Sequence, residues 1–159
     1  MNNALEALKA LKYANLKVNH PLMPEHAIPR PKYTDRNSNG LTRCVIDWIK
    51  LNGFQAERIN SMGRMIDNRE TIIDSIGRSR NIGSVTWTKG TGQVGTADIS
   101  ATIKGRSVKI EIKCKATGDN KQSPEQKEYQ KSVEAAGGVY LIVRTFQSFF
   151  DWYVEFVKM

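Results

Sequence analysis

Leu5, Leu8, Leu11 and Leu16 recur among alanines and lysines near the start of the chain, a stripe that predicts a helix over residues 3–17. Four prolines follow within eleven residues (Pro21, Pro24, Pro29, Pro31), which neither a helix nor a central strand tolerates. Residues 18–37 therefore read as a linker, or an arm laid on another surface, and the main domain is expected to begin near Asn39. Ser38 or Asn39 can cap a second helix that carries Leu41, Val45, Trp48 and Ile49 on one face and stops at Asn52-Gly53. A short strand is expected over 54–60. Residues 61–84 mix Gly, Asn, Arg and Asp with isolated isoleucines and read as a loop with room for one helical turn. Irregular stretches of that length are usually functional or mobile.

The clearest alternation lies in residues 97–103 and 106–115, two strands around Lys104-Gly105. With those two residues as the turn, Ile103 pairs with Arg106 and Asp98 falls opposite Glu111. Ile99, Ala101 and Ile103 then share a face with Val108 and Ile110, while Asp98, Ser100 and Thr102 join Lys109 and Glu111. A one-residue slip would mix apolar with polar on both faces, so the register is well specified. Ser123-Pro124-Glu125-Gln126 is a capping box with proline at the first helical position, and the helix it opens ends at Gly137-Gly138. Val139–Val143 is a continuous apolar run, as expected of a strand covered on both faces, with Thr145 as its furthest limit. The aromatic tail fits either a helix or a strand. Ser148 and Asp151 as a further box favour the helix. The order helix, strand, hairpin, helix, strand, helix predicts an α/β (α+β) domain built on a mixed sheet flanked by helices.

With 159 residues the chain is long enough for one domain with a short appended arm, residues 1–37 against 38–159. Its composition, 40% hydrophobic and 25% charged, excludes collagen-like and wholly disordered classes. Val139–Val143 is far too short to span a membrane, and lysines interrupt the opening segment, so neither a membrane span nor a secretory signal is expected. Cys44 and Cys114 make no disulfide framework and lie away from His20 and His26 at any zinc spacing. They read as core residues and the histidines as bystanders. A reduced, cytoplasmic protein follows as the expectation, in host cytoplasm if the source is viral. Twenty-four Lys and Arg against sixteen acids leave a net charge of +8, which favours polyanionic partners.

On the polar face of the hairpin, Glu111 is flanked by Lys109, Lys113 and Lys115 and faces Asp98. Two carboxylates directly opposed in a sheet repel each other by up to about 1 kcal/mol. A divalent cation between them removes that repulsion, and oxygen ligands of this kind suit Mg²⁺. Lys113, on the same face, can hold a phosphate or orient a hydroxide. Lewis acid, activated water and counter-charge are what phosphodiester hydrolysis needs. The plainer alternative is a solvated, salt-bridged sheet face.

Gly95-x-x-Asp98, Glu111-x-Lys113, Ser123-x-x-Gln126 ahead of a helix and Gly137-Gly138 ahead of a strand together resemble the PD-(D/E)XK nuclease superfamily, most closely its VRR-NUC branch of phages and mobile elements, akin to Holliday-junction resolvases. The resemblance covers residues 39–157 and implies a restriction-endonuclease-like αβββαβ core with an N-terminal helical, proline-rich arm. It implies a metal, Mg²⁺ with Mn²⁺ able to substitute, on Asp98, Glu111 and the backbone carbonyl of Ile112. Lys113 would position the attacking water, and Gln126 would reach into the site from its helix. Gln126 reads equally well as a capping residue for its own helix, and both roles are compatible. Ala97 stands where the family name has proline. Thr42 stands near the place where many relatives carry a helical glutamate, so one metal fits what remains, with Glu57, Asp67 or Glu70 as acids that could add a ligand. Resolvase-like relatives work as dimers, which implies a homodimer with residues 1–37 as a segment for exchange.

Arg58, Arg64, Arg69, Arg78 and Arg80 crowd residues 57–80, and with Lys115 they are the candidate nucleic-acid contacts, DNA more than RNA. Trp87 could stack on a base, but a tryptophan in such a setting is expected to be partly core. The expected activity is metal-dependent endonucleolytic cleavage of DNA, including branched DNA. Two rivals stand beside it: a non-catalytic nucleic-acid-binding protein on the same fold, and an interaction module whose carboxylate–lysine face is structural.

Overall fold

A computed structural model describes residues 3–59, 63–88, 90, 92–114 and 121–158. Helix α1 (Asn3–Asn19) is followed by an extended stretch with a single 3₁₀ turn at Glu25–Ala27, then by α2 (Ser38–Leu51) and strand β1 (Gln55–Arg58). Strands β2 (Arg64–Asp67), β3 (Glu70–Ile73), β4 (Ser79–Ile82) and β5 (Val85–Thr88) come next. The chain ends with β6 (Ile99–Ile103), β7 (Arg106–Ile112), α3 (Pro124–Ala135), β8 (Val139–Val143) and α4 (Phe146–Lys158). One four-stranded sheet has the order β1-β6-β7-β8, with β1, β6 and β7 antiparallel and β8 parallel to β7. The described residues thus form a mixed α/β fold, with a mixed sheet and four α-helices.

The β6–β7 register pairs Ile103 with Arg106 and Ile99 with Ile110, the pairing that the alternation predicts. Lys104 and Gly105 both take positive φ, 50° and 76°, as a two-residue turn matched to strand twist requires. The apolar set faces α1, α2 and α4 and is buried, from Ile99, Ala101 and Ile103 to Val108, Ile110 and Ile112. The helix ends are set by local chemistry. Asn37, rather than Ser38 or Asn39, caps α2 through its side chain to the Gly40 N–H. Ser123 and Gln126 form the full capping box of α3. The tail is helical, and the Asp35 carboxylate accepts from the first amide of α4, that of Phe146, at 3.1 Å.

Residues 3–37 share this core. Ala4 and Leu8 are fully buried in the same cluster as Phe146 and Val45, and the Ala4 amide donates to Gln147 of α4. The proline-rich stretch lies along the domain surface, with Ile28 buried and the Tyr33 hydroxyl donating to Asp47 at 2.6 Å. Both cysteines are buried, and burial pushes the Cys44 thiol up to about 12. β8 is less covered than its apolar run predicts, because it lies at the sheet edge and only Val143 is fully enclosed.

The largest departure lies in residues 61–84, read above as a loop. Arg64 pairs with Thr88, Asp67 with Val85, Glu70 with Ile82 and Ile73 with Ser79, all in one unbroken register. This is a single antiparallel ribbon whose tip is a turn from Asp74 to Gly77, closed by the Gly77 amide on the Asp74 carbonyl, with Gly77 at φ 78°. Ten residues per strand give it a length of roughly 30 Å. Apart from the partly covered Gly63, Ile66 and Asp74, every residue of 63–88 is exposed.

Because α1 completes the common core, Leu8→Ala is expected to cost about 2–5 kcal/mol of stability, read from urea unfolding followed by tryptophan fluorescence. A loss below about 1 kcal/mol would assign α1 to a peripheral arm instead.

Candidate active site

Sheet pleat sends Lys109, Glu111 and Lys113 of the β7 segment to the face opposite the core. Ser100 and Thr102 of β6 share that face, as do Tyr140 and Ile142 of β8, and α3 packs over it. Asp98 precedes β6 in the same register, its carbonyl accepting from the Ile59 amide at 2.8 Å. Its Oδ2 accepts from the Ile112 amide at 2.9 Å, which ties the Asp98 side chain to the end of β7. A residue's N–H and C=O face the same strand edge, so the Ile112 carbonyl is directed to the Asp98 side as well.

Glu111 and Lys113 are buried, 3% and 2% exposed, with Lys113 Nζ 3.2 Å from Glu111 Oε1. Gln126 completes the cluster. Its Oε1 accepts from the Ser123 amide at 3.0 Å while its Nε2 donates to the same Glu111 Oε1 at 2.6 Å. The capping and site roles are therefore held at once, and only an amide can hold both, because one oxygen must accept and one nitrogen must donate. Gly95 sets the height of this helix start. Its φ is 82°, and a β-carbon there would lie 2.5 Å from the Glu125 carbonyl carbon and 2.9 Å from the Gln126 nitrogen. The glycine of the Gly95-x-x-Asp98 motif thus lets the loop before Asp98 lie against the first turn of α3.

Beside the cluster lies a pocket of about 250 Å³, lined by Lys113, Lys121, Gln122, Lys127, Ile142 and Arg144. Four of the six are cationic, Lys113 among them being paired with Glu111, and none is acidic, so the lining favours an anion. Parallel pairing of Ile112 with Val143 brings Lys113 and Arg144 side by side at the carboxyl ends of β7 and β8, where open α/β sheets commonly bind ligands. Earlier on β8, opposite Lys109, burial and then the Glu111 charge push the Tyr140 hydroxyl up to about 12. Lys121, Lys127, Tyr140 and Arg144 are absent from the sequence reading. The one signal for them is that Lys121 and Lys127 bracket the capping box and Arg144 follows the apolar strand. A larger cleft, about 820 Å³, lies between Tyr13 of α1 and the proline-rich stretch and gathers no comparable set of charges.

The other predicted residues are dispersed. Lys109 donates to Ser100 rather than to an acid. Arg58 points to the α2 side and donates to Asn39. Arg64, Arg69, Arg78 and Arg80 are carried on the ribbon, where Arg69 pairs with Asp67 and Arg80 with Asp74, so the arginines do not line the cluster. Trp87, expected to be partly core, is 64% exposed on the ribbon and joins no core cluster among the described residues. Lys115 lies outside the described residues. Of the three reserve acids, Glu57 stands on the site face of the sheet beside Ser100, whereas Asp67 and Glu70 are on the ribbon. Thr42 is turned into its own helix, donating to the Ser38 carbonyl.

As a donor set, Asp98, Glu111 and the Ile112 carbonyl are all hard oxygen groups, the kind that Mg²⁺ or Mn²⁺ accepts with water in the remaining positions. Among the described residues, no group of three or more His, Cys, Asp or Glu side chains is placed to hold a metal together. Compared with protein-family models, with curated proteins and with solved structures, the chain matches none.

Two consequences are testable by denaturation. Lys113→Met strands a buried carboxylate and should cost about 3–5 kcal/mol, much of which the further change Glu111→Gln restores. Gln126→Glu keeps the capping acceptor but removes the donor to Glu111, and should cost about 1–3 kcal/mol. Additive losses in the first pair, or a neutral second change, would contradict the buried network.

Proposed function

We propose that this protein is a metal-dependent endonuclease that hydrolyses phosphodiester bonds in nucleic acid, DNA rather than RNA and including branched DNA. The observation that carries this reading is the cluster of Glu111, Lys113 and Gln126, with Asp98 tied to the adjoining Ile112 amide, beside a pocket lined by Lys113, Lys121, Lys127 and Arg144. A restriction-endonuclease-like αβββαβ core fits the order α2, β1, β6, β7, α3, β8, with β2 to β5 inserted after β1. Asp98, Glu111 and the Ile112 carbonyl would hold Mg²⁺ or Mn²⁺, which when bound supplies a Lewis acid and lowers the pKa of a coordinated water.

The chain's own residues supply the rest. Lys121, Lys127 and Arg144 hold a backbone phosphate and set its register without reading bases. Lys113, fixed by Glu111, offers a positive charge where charge develops on the phosphate, and it costs no reorganisation because it is already buried and oriented. Gln126 orients the Glu111 carboxylate, and the Ile112 amide orients that of Asp98. The net charge of +8 draws the polyanion in.

A second reading, a nucleic-acid-binding protein without catalysis, is favoured by one observation: Glu111 is already bonded to Lys113 and Gln126 inside the protein. Cleavage of labelled linear duplex, single-stranded and four-way-junction DNA with Mg²⁺ or Mn²⁺ separates the two. The nuclease reading expects cutting that chelation abolishes and that Glu111→Ala, Lys113→Ala and Asp98→Asn each reduce by roughly 100-fold or more, with folding checked by thermal melts. Wild-type protein that binds all three substrates and cuts none supports the binder.

A further inference from the structure

The proline-rich stretch between α1 and α2 has no part in the site described above, yet its charges are ordered. Pro29 and Pro31 fix their own φ, and each biases the residue before it toward extended backbone. From there the exposure alternates: Arg30, Lys32, Thr34 and Arg36 face water, while Pro31, Tyr33 and Asp35 between them are partly covered. The inward set anchors the stretch. Tyr33 donates to Asp47 of α2, and Asp35 accepts from the first amide of α4. Backbone carbonyls add two more ties, with Thr34 accepting from the Cys44 thiol and Arg36 from the Cys114 thiol, each at 3.5 Å. Cys114 directly follows Lys113, so the row of outward residues ends beside the segment that carries Lys113. Successive outward positions of an extended chain stand about 6–7 Å apart, which puts Arg36 up to about 20 Å from Arg30.

At the far end of this row lies a pocket of about 310 Å³. Its lining holds Lys12 of α1, Arg30, Lys32 and Arg43 of α2, together with Tyr33, and no acid. Arg43 stands 3.8 Å from Asp47 and 5.3 Å from the centre of the Tyr33 ring. Among the described residues, no salt bridge holds Lys12, Arg30, Lys32 or Arg36. The acids of the stretch are engaged elsewhere: Asp35 at the start of α4, and Glu25 by Lys17, with Arg30 the least of the influences on it. Like charges gathered in this way repel one another, and an anionic ligand removes that repulsion.

We propose that the row and its pocket form a track for the phosphate backbone of a single DNA strand, leading from the pocket past Lys32 and Arg36 to the candidate site. Charge selects a polyanion. The cations are strung along a line rather than gathered round one point, which suits a chain of phosphates better than a single anion. Pocket size selects one strand, since about 310 Å³ admits a nucleotide and no duplex end. Cations along the backbone with an aromatic ring beside them hold single strands without reading sequence. Because its anchors already keep the stretch extended, binding costs little ordering. The track rests on the nucleic-acid part of the function proposed above and not on cleavage.

The test is binding of a labelled single-stranded DNA oligonucleotide to the full chain, with chelator present, followed by fluorescence anisotropy over a series of salt concentrations. The combined substitution Arg30→Ala, Lys32→Ala and Arg36→Ala is compared with wild type. Lys50→Ala with Lys158→Glu is the control, which removes the same three charges from the carboxyl ends of α2 and α4. The expected result is binding weakened roughly 10-fold or more by the arm substitutions, with the slope of log affinity against log salt shallower by about 2. The thermal midpoint is unchanged, because the three side chains are exposed. The control weakens binding by less than about 3-fold. Equal losses in variant and control, an unchanged salt slope, or a wild type that binds no single strand would each overturn the proposal. A nuclease whose strand binding ignores the arm substitutions defeats the track alone. A protein that cuts nothing but loses strand binding through them supports the track and leaves the catalytic reading to fail by itself.

Discussion

The pairing of β6 with β7 is the constraint on which the rest of the structure depends. Its two-residue turn holds Lys104 and Gly105 at positive φ, and that geometry allows one register only. The register sends six apolar side chains to one face, where three helices close over them, and the carboxylates and lysines to the other. A shift of one residue would bury Glu111 and Lys113 against Phe149 and Leu41 and expose Ile110. Core and candidate site are therefore two sides of one choice.

On the polar side, burial rather than exposure gives the cluster its character. Glu111 and Lys113 are withdrawn from water by α3, so each needs the other, and Gln126 ties both to the capping box of the helix that covers them. Helix start and site geometry cannot vary independently in such an arrangement. Gly95 extends the coupling to the loop before Asp98, since a side chain there would collide with the first turn of α3. The same low-dielectric setting that strengthens a satisfied polar network penalises a broken one, so the cluster is rigid for a physical reason.

The cationic pocket and the ribbon show two uses of positive charge in a basic chain. Around Lys113, itself paired with Glu111, cations from different elements line one pocket. On the ribbon, Arg69 is paired with Asp67 and Arg80 with Asp74, so their fields cancel locally. Net charge alone does not distinguish these cases. What separates them is whether the fold gathers like charges or pairs unlike ones.

The sequence by itself determined the features that local chemistry controls. The capping box at Ser123, the hairpin turn at Lys104-Gly105, the stripe of α2 and the alternation across Asp98, Glu111 and Lys113 all arise from residues within a few positions of one another. Three features escaped it because they depend on distant partners. α1 reads as an arm until Ala4 and Leu8 are seen against α4, more than a hundred residues away. Arg144 joins Lys113 only through the parallel β7–β8 pairing. The ribbon has no clean alternation because neither of its faces is buried by its own chain, and period two is visible in a sequence only where one face meets a core. Its single local mark is the Asp74-to-Gly77 turn. Tertiary structure decided which charges stand together, because sequence spacing carries the faces of a single element but not which elements meet.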